Sequence, residues 1–436
     1  SGSSLSLVGS ARGLHSVPSA RARLRRAVKK ANAVRIFAMG SASFYESIDT
    51  DVDPESPDIV RPPQGAALRS MILPWSTNGK MINWLFFLMP LAYLSPQWGW
   101  PDAATFALNF AVMVPLASLL GDFTEELAGH LSSTTAGLLN ATFGNTVEVV
   151  VAVQALAADE LRVVQASMMG SVLSNLLLVL GSSFIAAGVR FKECEFSAVN
   201  AINSASLLLL STLGMVLPST FPQTDEGTTA AGGYSVLEVS RFSAVFLLLL
   251  YLQVLVFQLR THSHLANDEE DEDEVPRVGA RVAIFGLAVC TLLVSLFSDF
   301  LVASIDGFTK ASGLSKAFVG LILLPIVGNA VEHIVAIQVA YKGKMELAMG
   351  VALGSGVQVA LFVVPVVVVA GWVMGKAMTL SYPTFEIAIY LMSVLIVAHL
   401  TVNGRSNWIF GSTLVTTYAL IAVAVLFEDE SSISEQ

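Results

Sequence analysis

Long apolar stretches separated by short polar ones run through this chain from about residue 80 to residue 427. A helix needs about 20 mostly apolar residues to cross roughly 30 Å of hydrocarbon. We predict a membrane-spanning helix in each of eleven stretches, which cover residues 81–97, 102–120, 136–157, 167–188, 199–217, 241–259, 279–302, 317–341, 345–372, 384–402 and 407–427. The pattern therefore predicts an all-α membrane protein with about 11 transmembrane helices.

The composition supports this class and argues against a soluble enzyme. Hydrophobic residues make up 54% of the chain and charged residues only 13%, and the mean hydropathy is +0.67. Two cysteines, Cys194 and Cys290, are too few for a disulfide framework. No Gly-x-x-x-x-Gly-Lys-Ser/Thr phosphate loop is present. We therefore expect neither an enzyme nor an ATP-driven pump, and we predict no cofactor and no nucleic-acid partner.

Charge patterning divides the chain into tails, a linker and two membrane halves. We predict a disordered, basic tail over 1–79, an extra first helix over 80–98, a five-helix repeat over 99–260, an acidic cytosolic linker over 261–277, a second five-helix repeat over 278–428 and a short acidic tail over 429–436. Residues 1–45 carry eight Arg or Lys and no acid. This fits either an organellar transit peptide or a basic tail near anionic lipid. Autoinhibition by the tail stays a conjecture.

Two nearly identical pentapeptides lie inside apolar runs, Gly-Asn-Thr-Val-Glu at 144–148 and Gly-Asn-Ala-Val-Glu at 328–332. The same 184-residue spacing also relates Gly170-Ser171 to Gly354-Ser355, and Ser174 to Gln358. An ionised carboxylate in a low-dielectric medium costs several kcal/mol unless a cation or proton compensates it. Two glutamates at matching positions therefore indicate one shared cation site.

The number of spans between the two copies predicts their relative orientation. Glu148 falls in the third predicted span and Glu332 in the eighth, so an odd number of crossings separates them. The halves then form inverted-topology repeats, preceded by one extra helix. In such folds the substrate site lies near the membrane midplane, where helices are broken. Gly144 and Gly328 are the predicted break points.

The neighbouring polar residues offer oxygen ligands. Asn145 precedes Glu148 by three residues, as Asn329 precedes Glu332, so each pair shares a helix face. The next span of each half carries a polar stripe, formed by Ser171, Ser174 and Asn175 in the first half and by Ser355 and Gln358 in the second. A site made only of oxygens favours a hard cation such as Ca²⁺. Mn²⁺ accepts the same ligands, so the choice between these ions stays open.

Protons can replace the metal ion at such a site, because two carboxylates neutralise either one divalent ion or two protons. An empty buried carboxyl also favours its protonated form. Competition between the two is the physical basis of an antiporter. His333, next to Glu332, could shuttle protons at near-neutral pH, or it could support a neighbouring polar group. We favour the supporting role.

At these motifs the chain resembles the cation/proton exchangers, the vacuolar Ca²⁺/H⁺ antiporter branch of the cation/Ca²⁺ exchanger superfamily. The resemblance covers about residues 80–427 and lies chiefly in the stretches 138–145, 170–181, 324–333 and 350–355. It implies an eleven-helix fold in which Glu148 and Glu332 alternately carry protons and Ca²⁺. It also implies that Asn145, Asn329, Ser174 and Gln358 line the site.

The acidic run has two interpretations. It comprises Asp268, Glu269, Glu270, Asp271, Glu272, Asp273 and Glu274. Such a run is usually a solvated linker, but at a vestibule it would concentrate divalent cations. The family resemblance implies a cytosolic helix at the vestibule.

The sequence thus predicts a Ca²⁺/H⁺ antiporter in a vacuolar or other acidic organelle membrane, or in another organellar envelope if the tail is a transit peptide. Loop charges favour a cytosolic tail and linker, since the loops on that side carry more Arg and Lys. A Na⁺-coupled exchanger of the same fold is the alternative. A channel or a membrane enzyme is the third hypothesis, and an embedded protease would need a nucleophile or metal dyad that we do not find. A homo-oligomer stays open.

Overall fold

The computed structural model describes residues 64–74, 80–220, 236–262 and 276–428, and these residues are almost entirely helical. The described helices of the first half are α1 (Gln64–Ile72), α2 (Met89–Gln97, preceded by the 3₁₀ segment Met81–Leu88), α3 (Asp102–Ala128), α4 (Ser133–Phe143), α5 (Thr146–Ala157), α6 (Leu161–Gly188), α7 (Ala198–Ser219) and α8 (Val236–Thr261). The predicted tail and the acidic run of residues 268–274 lie outside the described residues.

The second half has a similar series of helices. They are α9 (Ala280–Ala303), α10 (Ile305–Ser312), α11 (Lys316–Gly328), α12 (Ala330–Tyr341), α13 (Met345–Val373), α14 (Thr384–Thr401) and α15 (Trp408–Leu426). Strands β1 (Cys194–Glu195) and β2 (Arg405–Ser406) form a small antiparallel sheet between the two halves. Polar caps begin several helices: Ser132 Oγ accepts from Thr135 N, and Asn407 Oδ1 accepts from Phe410 N.

Nine stretches of the described residues are helical, long and apolar enough to cross a membrane, if α4 and α5 are taken together as one span over Thr134–Ala157, and a bent pair, α10 with α11, raises the number to ten. The all-α membrane fold is therefore confirmed. The count of eleven stays a prediction, because the segment over 81–97 is part 3₁₀ helix, and the segment over 317–341 is divided between α11 and the 12-residue α12.

Helix boundaries repeat along the chain as the motifs do. Helices α5 and α12 begin and end at positions 184 residues apart, and α6 and α13 begin with the same spacing. Each of the latter contains a π-helical turn, at Ser174–Val179 in α6 and at Val359–Val363 in α13. The two copies of the motif therefore share local structure as well as sequence. That they run in opposite directions stays a prediction.

Two apolar cores hold the helices together. The larger core joins α6 and α13, which are buried along most of their length, to α7, α8, α14 and α15. The smaller core joins α3 to α9, with residues from α1 and α2. Helices α6 and α15 meet backbone to backbone, because a Cβ atom at Gly411 would lie 2.5 Å from the Gly181 carbonyl oxygen. Only glycine permits that approach.

The segments that connect the helices lie on two opposite faces of the helix bundle, as their polar contacts show. On one face Arg277 pairs with Glu126 and the β1–β2 sheet forms, and we call this the Glu126 face. On the other face Arg162 pairs with Glu386 and Lys316 pairs with Glu160, and we call this the Arg162 face. Helix α3 begins at the Arg162 face, where Asp102 contacts Gly307, and it ends beside Glu126. The predicted cytosolic loops lie on the Glu126 face.

Candidate cation site

Each site glutamate lies just after a break between two helices. Asn145 separates α4 from α5, with φ −107° and ψ 20°, and Asn329 separates α11 from α12, with φ −94° and ψ 12°. Both conformations lie in the sparsely populated region between helix and strand. Glu148 and Glu332 are each the third residue of the helix that follows. Their carboxylates therefore lie at helix N-termini, whose dipoles favour negative charge.

The two glutamates line one cavity of about 70 Å³. The other polar side chains on its wall are Thr124, Glu125, Asn140, Asn145, Ser355 and Gln358, and the break-point glycines Gly144 and Gly328 also line it. The predicted pairing of the two motifs in space is therefore present in the structure. Eight of the 17 lining residues carry a side-chain oxygen, and none is histidine or cysteine.

The glutamate carboxylates have unused oxygen atoms. Oε2 of Glu148 and Oε2 of Glu332 are both buried, and neither has a hydrogen-bond partner among the described residues. Glu148 is only 8% exposed. Buried polar atoms are nearly always hydrogen-bonded, so two such oxygens on one cavity need a ligand or a proton. No group of three or more His, Cys, Asp or Glu side chains that could hold a metal ion occurs in the described ranges. A cation here would need neutral oxygens beside the two carboxylates.

Hydrogen bonds cross between the halves around this cavity. Asn145 Nδ2 donates to Gln358 Oε1 at 2.8 Å. Asn329 Nδ2 donates to the Ser171 carbonyl oxygen at 3.0 Å, and Ser171 Oγ donates to Asn329 Oδ1 at 3.1 Å. In addition, Asn175 Nδ2 donates to Ser355 Oγ at 2.9 Å. These pairs join three predicted ligands and the three predicted pathway residues across the two halves, and they hold Asn145 and Asn329 at the helix breaks.

A second cavity of about 30 Å³ borders Glu148 from another side. Its polar wall residues besides Glu148 are Ser167 and Ser171, and its apolar wall includes Met113, Leu301 and Pro325. Its volume suits one or two water molecules, and a hydrated Ca²⁺ ion is larger. Glu148 thus borders both a larger cavity with a mixed polar and apolar wall and a smaller, mainly apolar one.

Other predicted residues lie outside both cavities. Ser174 and Asn329 are buried but line neither of them. His333 Nε2 lies 3.0 Å from Ser182 Oγ. Because that hydroxyl donates to the Leu178 carbonyl, the histidine is assigned as the donor. The supporting role that we favoured for His333 stays a prediction.

Helix α3 also contributes to the wall of the larger cavity, which the sequence patterns did not indicate. Thr124 and Glu125 line the larger cavity, as does Asn140 of α4. Two nearby acids are neutralised, since Lys80 Nζ lies 2.8 Å from Asp122 and Arg277 Nε lies 2.5 Å from Glu126. An acidic cluster at the end of an apolar helix was the available signal.

Comparisons with known proteins identify relatives over most of the chain. The model of the family described as "Sodium/calcium exchanger protein" matches residues 102–260 and 282–427. A vacuolar calcium ion transporter of Schizosaccharomyces pombe is 41% identical over 348 residues, which are 79% of this chain and 84% of the relative. Vacuolar cation/proton exchanger 5 of Arabidopsis thaliana is 38% identical over 384 residues, which are 84% of this chain and 85% of the relative.

Solved structures with a similar fold also exist. The structure of native YfkE, which is 32% identical, superimposes with a TM-score of 0.67 and covers 79% of this chain and 100% of its own. A further structure of that protein describes it as a Ca²⁺/H⁺ antiporter. An H⁺/Ca²⁺ exchanger, CAX, superimposes with a TM-score of 0.62 at 15% identity, over 80% of this chain and 89% of its own. The latter similarity concerns the fold alone.

Proposed function

The chain belongs to the sodium/calcium exchanger protein family, and on this premise we propose that it exchanges Ca²⁺ for protons across the vacuolar membrane. It is a multi-pass membrane transporter and not an enzyme. Its relatives named as Ca²⁺/H⁺ antiporters and vacuolar cation/proton exchangers favour proton coupling over the Na⁺-coupled alternative.

The observation that carries the mechanism is the pair of unpartnered buried carboxylate oxygens on one cavity. Two ionised glutamates supply the charge that offsets a divalent cation. When both are protonated, the site is neutral without the ion, and a buried carboxyl favours this form. Ca²⁺ and protons therefore occupy Glu148 and Glu332 in turn. Exchange follows because the two occupants exclude each other.

We propose that neutral oxygens complete the coordination. Ca²⁺ takes six to eight oxygens at about 2.3–2.6 Å and accepts irregular geometry. Asn145 and Gln358 line the larger cavity, as do Gly144 and Gly328, whose backbone carbonyls are proposed as further ligands. The remaining predicted ligands, Ser174 and Asn329, would contribute after the site turns to the opposite face. Mn²⁺ accepts the same oxygen ligands and is proposed as a competing ion.

Alternating access is the proposed route. The halves over 99–260 and 278–428 act as the two inverted repeats, and their relative movement exposes the site to one face at a time. The larger cavity, whose wall includes Glu125 near the Glu126 face, represents the side that receives Ca²⁺. The smaller cavity represents the closed side. The acidic run of residues 268–274 is proposed to concentrate cations near the entrance.

Transport by the purified full chain in proteoliposomes tests the proposal. With an acidic interior, the unmodified protein accumulates ⁴⁵Ca, whereas Glu148→Gln and Glu332→Gln each abolish uptake because one carboxylate no longer offsets a divalent ion. Glu195→Gln, at a side chain that is 76% exposed, is the matched control. Full uptake by either site variant would refute the assignment. Uptake driven by a Na⁺ gradient without a pH gradient would support the Na⁺-coupled alternative.

A further inference from the structure

The two asparagines at the helix breaks use different partners. Asn145 donates to the side chain of Gln358 at 2.8 Å. Asn329 instead exchanges two hydrogen bonds with Ser171, at 3.0 and 3.1 Å. The asparagines occupy equivalent positions in the two copies of the motif, so equivalent hydrogen-bond partners would be expected. The partners observed are not equivalent.

The difference is an offset along the partner helix. In the 184-residue register, Gln358 of α13 corresponds to Ser174 of α6, and Ser171 of α6 corresponds to Ser355 of α13. One asparagine therefore bonds to the first position of the polar stripe, and the other bonds three residues further along. Three residues are just under one helical turn. We call Ser171 and Ser355 the near positions, and Ser174 and Gln358 the far positions.

The choice of partner follows the size of the neighbouring cavity. Asn145 and its far partner Gln358 both line the cavity of about 70 Å³. Ser171, the near partner of Asn329, lines the cavity of about 30 Å³, whereas Asn329 itself lines neither. A far bond thus accompanies the larger cavity, and a near bond accompanies the smaller one.

The two unused positions have capacity for new bonds. Ser174 is 1% exposed, and its buried Oγ lies near the hydroxyl of Tyr418 in α15 without a well-aligned hydrogen bond in the described part of the chain. Ser355 Oγ accepts from Asn175 Nδ2, which leaves its own proton for donation. Neither hydroxyl bonds to Asn145 or Asn329 in the present conformation, so both are available as alternative partners of these asparagines.

We propose that the asparagines exchange partners when the site changes face, an inference that rests on the alternating access of the proposed function. Asn329 leaves Ser171 for Ser174, while Asn145 leaves Gln358 for Ser355. The set of bonds after the exchange mirrors the set before it. Ser171 and Ser174 are therefore positioning residues with opposite effects, because Ser171 stabilises the present conformation and Ser174 stabilises the reversed one.

Removing either hydroxyl should change the ratio of the two conformations in a definite direction. Loss of one buried hydrogen bond corresponds to about a fivefold change in an equilibrium. Ser171→Ala removes a donor to Asn329 and favours the reversed conformation. Ser174→Ala removes the proposed acceptor and favours the present one. A purely structural role would instead make both variants less stable without such opposition.

The ratio of the two conformations can be measured in the reconstituted full chain from the labelling rates of two introduced cysteines. Thr124→Cys lies on the larger cavity, and Ser167→Cys lies on the smaller one. The background is Cys194→Ser with Cys290→Ser, which removes both native thiols. A small membrane-impermeant thiosulfonate reagent is added from each face in turn, at a pH where both reporters of the parent protein react.

The expected result is reciprocal labelling. Ser171→Ala lowers the labelling rate of Thr124→Cys relative to that of Ser167→Cys by about fivefold, and Ser174→Ala shifts the ratio the other way. Ser171→Thr, which keeps a hydroxyl, restores the parent ratio. Serine variants that shift the ratio in the same direction, or not at all, would overturn the exchange of partners. If the parent reporters never respond reciprocally to a pH step, alternating access itself fails.

Discussion

A methyl group at Gly328 should weaken Ca²⁺ binding, because this glycine faces the carboxylate that borders both cavities. A Cβ atom there would lie 3.3 Å from Glu148 Oε1 and 3.8 Å from its Cδ and Cγ atoms. The first distance is tighter than an ordinary van der Waals contact, so the carboxylate must move by a few tenths of an ångström. Gly354→Ala is a matched control, since a Cβ atom there meets nothing within 4 Å.

The geometry of Ca²⁺ coordination sets the size of the effect. Ca²⁺–oxygen distances span about 2.3–2.6 Å, so a shift of a few tenths of an ångström consumes the whole tolerance of one ligand. A misplacement of about 1 Å at a reacting group can cost about a hundredfold. We therefore expect Gly328→Ala to raise the KM for Ca²⁺ about tenfold, on the scale of that estimate.

The assay is initial-rate ⁴⁵Ca uptake into proteoliposomes over a range of Ca²⁺ concentrations, with a fixed pH gradient. Melting temperatures in detergent show whether both glycine variants are folded. Gly354→Ala should keep the parent KM. If folded Gly328→Ala and Gly354→Ala had the same KM, the contact between Gly328 and Glu148 would have no bearing on the cation site, and the reasoning would be wrong.

Two further predictions concern stability and thiol chemistry. Arg162→Ala should lower the free energy of unfolding in detergent by about 3 kcal/mol, because it leaves Glu386, which is 0% exposed, as an unpaired buried charge. Arg405→Ala is the control, since the side chains of its ion pair are 62% and 76% exposed. This control should leave the melting temperature almost unchanged. Burial raises the pKa of the Cys194 thiol above its usual value, so less thiolate is present at neutral pH and alkylation should be slower than for a cysteine peptide. Equal losses for the two arginine variants, or equal alkylation rates, would contradict these expectations.

Much of this architecture could be predicted from the chain because two strong signals coincide. The length of the apolar stretches indicated the membrane-spanning helices, and a glutamate inside an apolar stretch indicated the position of the cation site. The duplicated motif then indicated that Glu148 and Glu332 belong together, and the structure places both on one cavity. The family resemblance is confirmed by relatives that cover most of the chain.

Other features depend on how helices pack, which local sequence does not encode. Glu125 reaches the cavity only because the end of α3 packs beside the helix breaks. The π-helical turns occur in the segments Ser174–Val179 and Val359–Val363, which contain neither proline nor glycine to signal a change of helix type. The unequal partners of Asn145 and Asn329 could not be predicted either, because two nearly identical motifs do not reveal which of two conformations the molecule has adopted.

The close approach of Gly181 and Gly411 has a consequence for motion. Since Cβ atoms are excluded there and Gly188 meets Trp408 equally tightly, α15 cannot slide along the second part of α6 without a steric collision. The β1–β2 sheet fastens the adjoining segments in the same region. These elements should stay fixed relative to each other during transport, so they are suitable positions for spectroscopic reference labels. The movement that carries an ion should occur in the helices around Glu148 and Glu332.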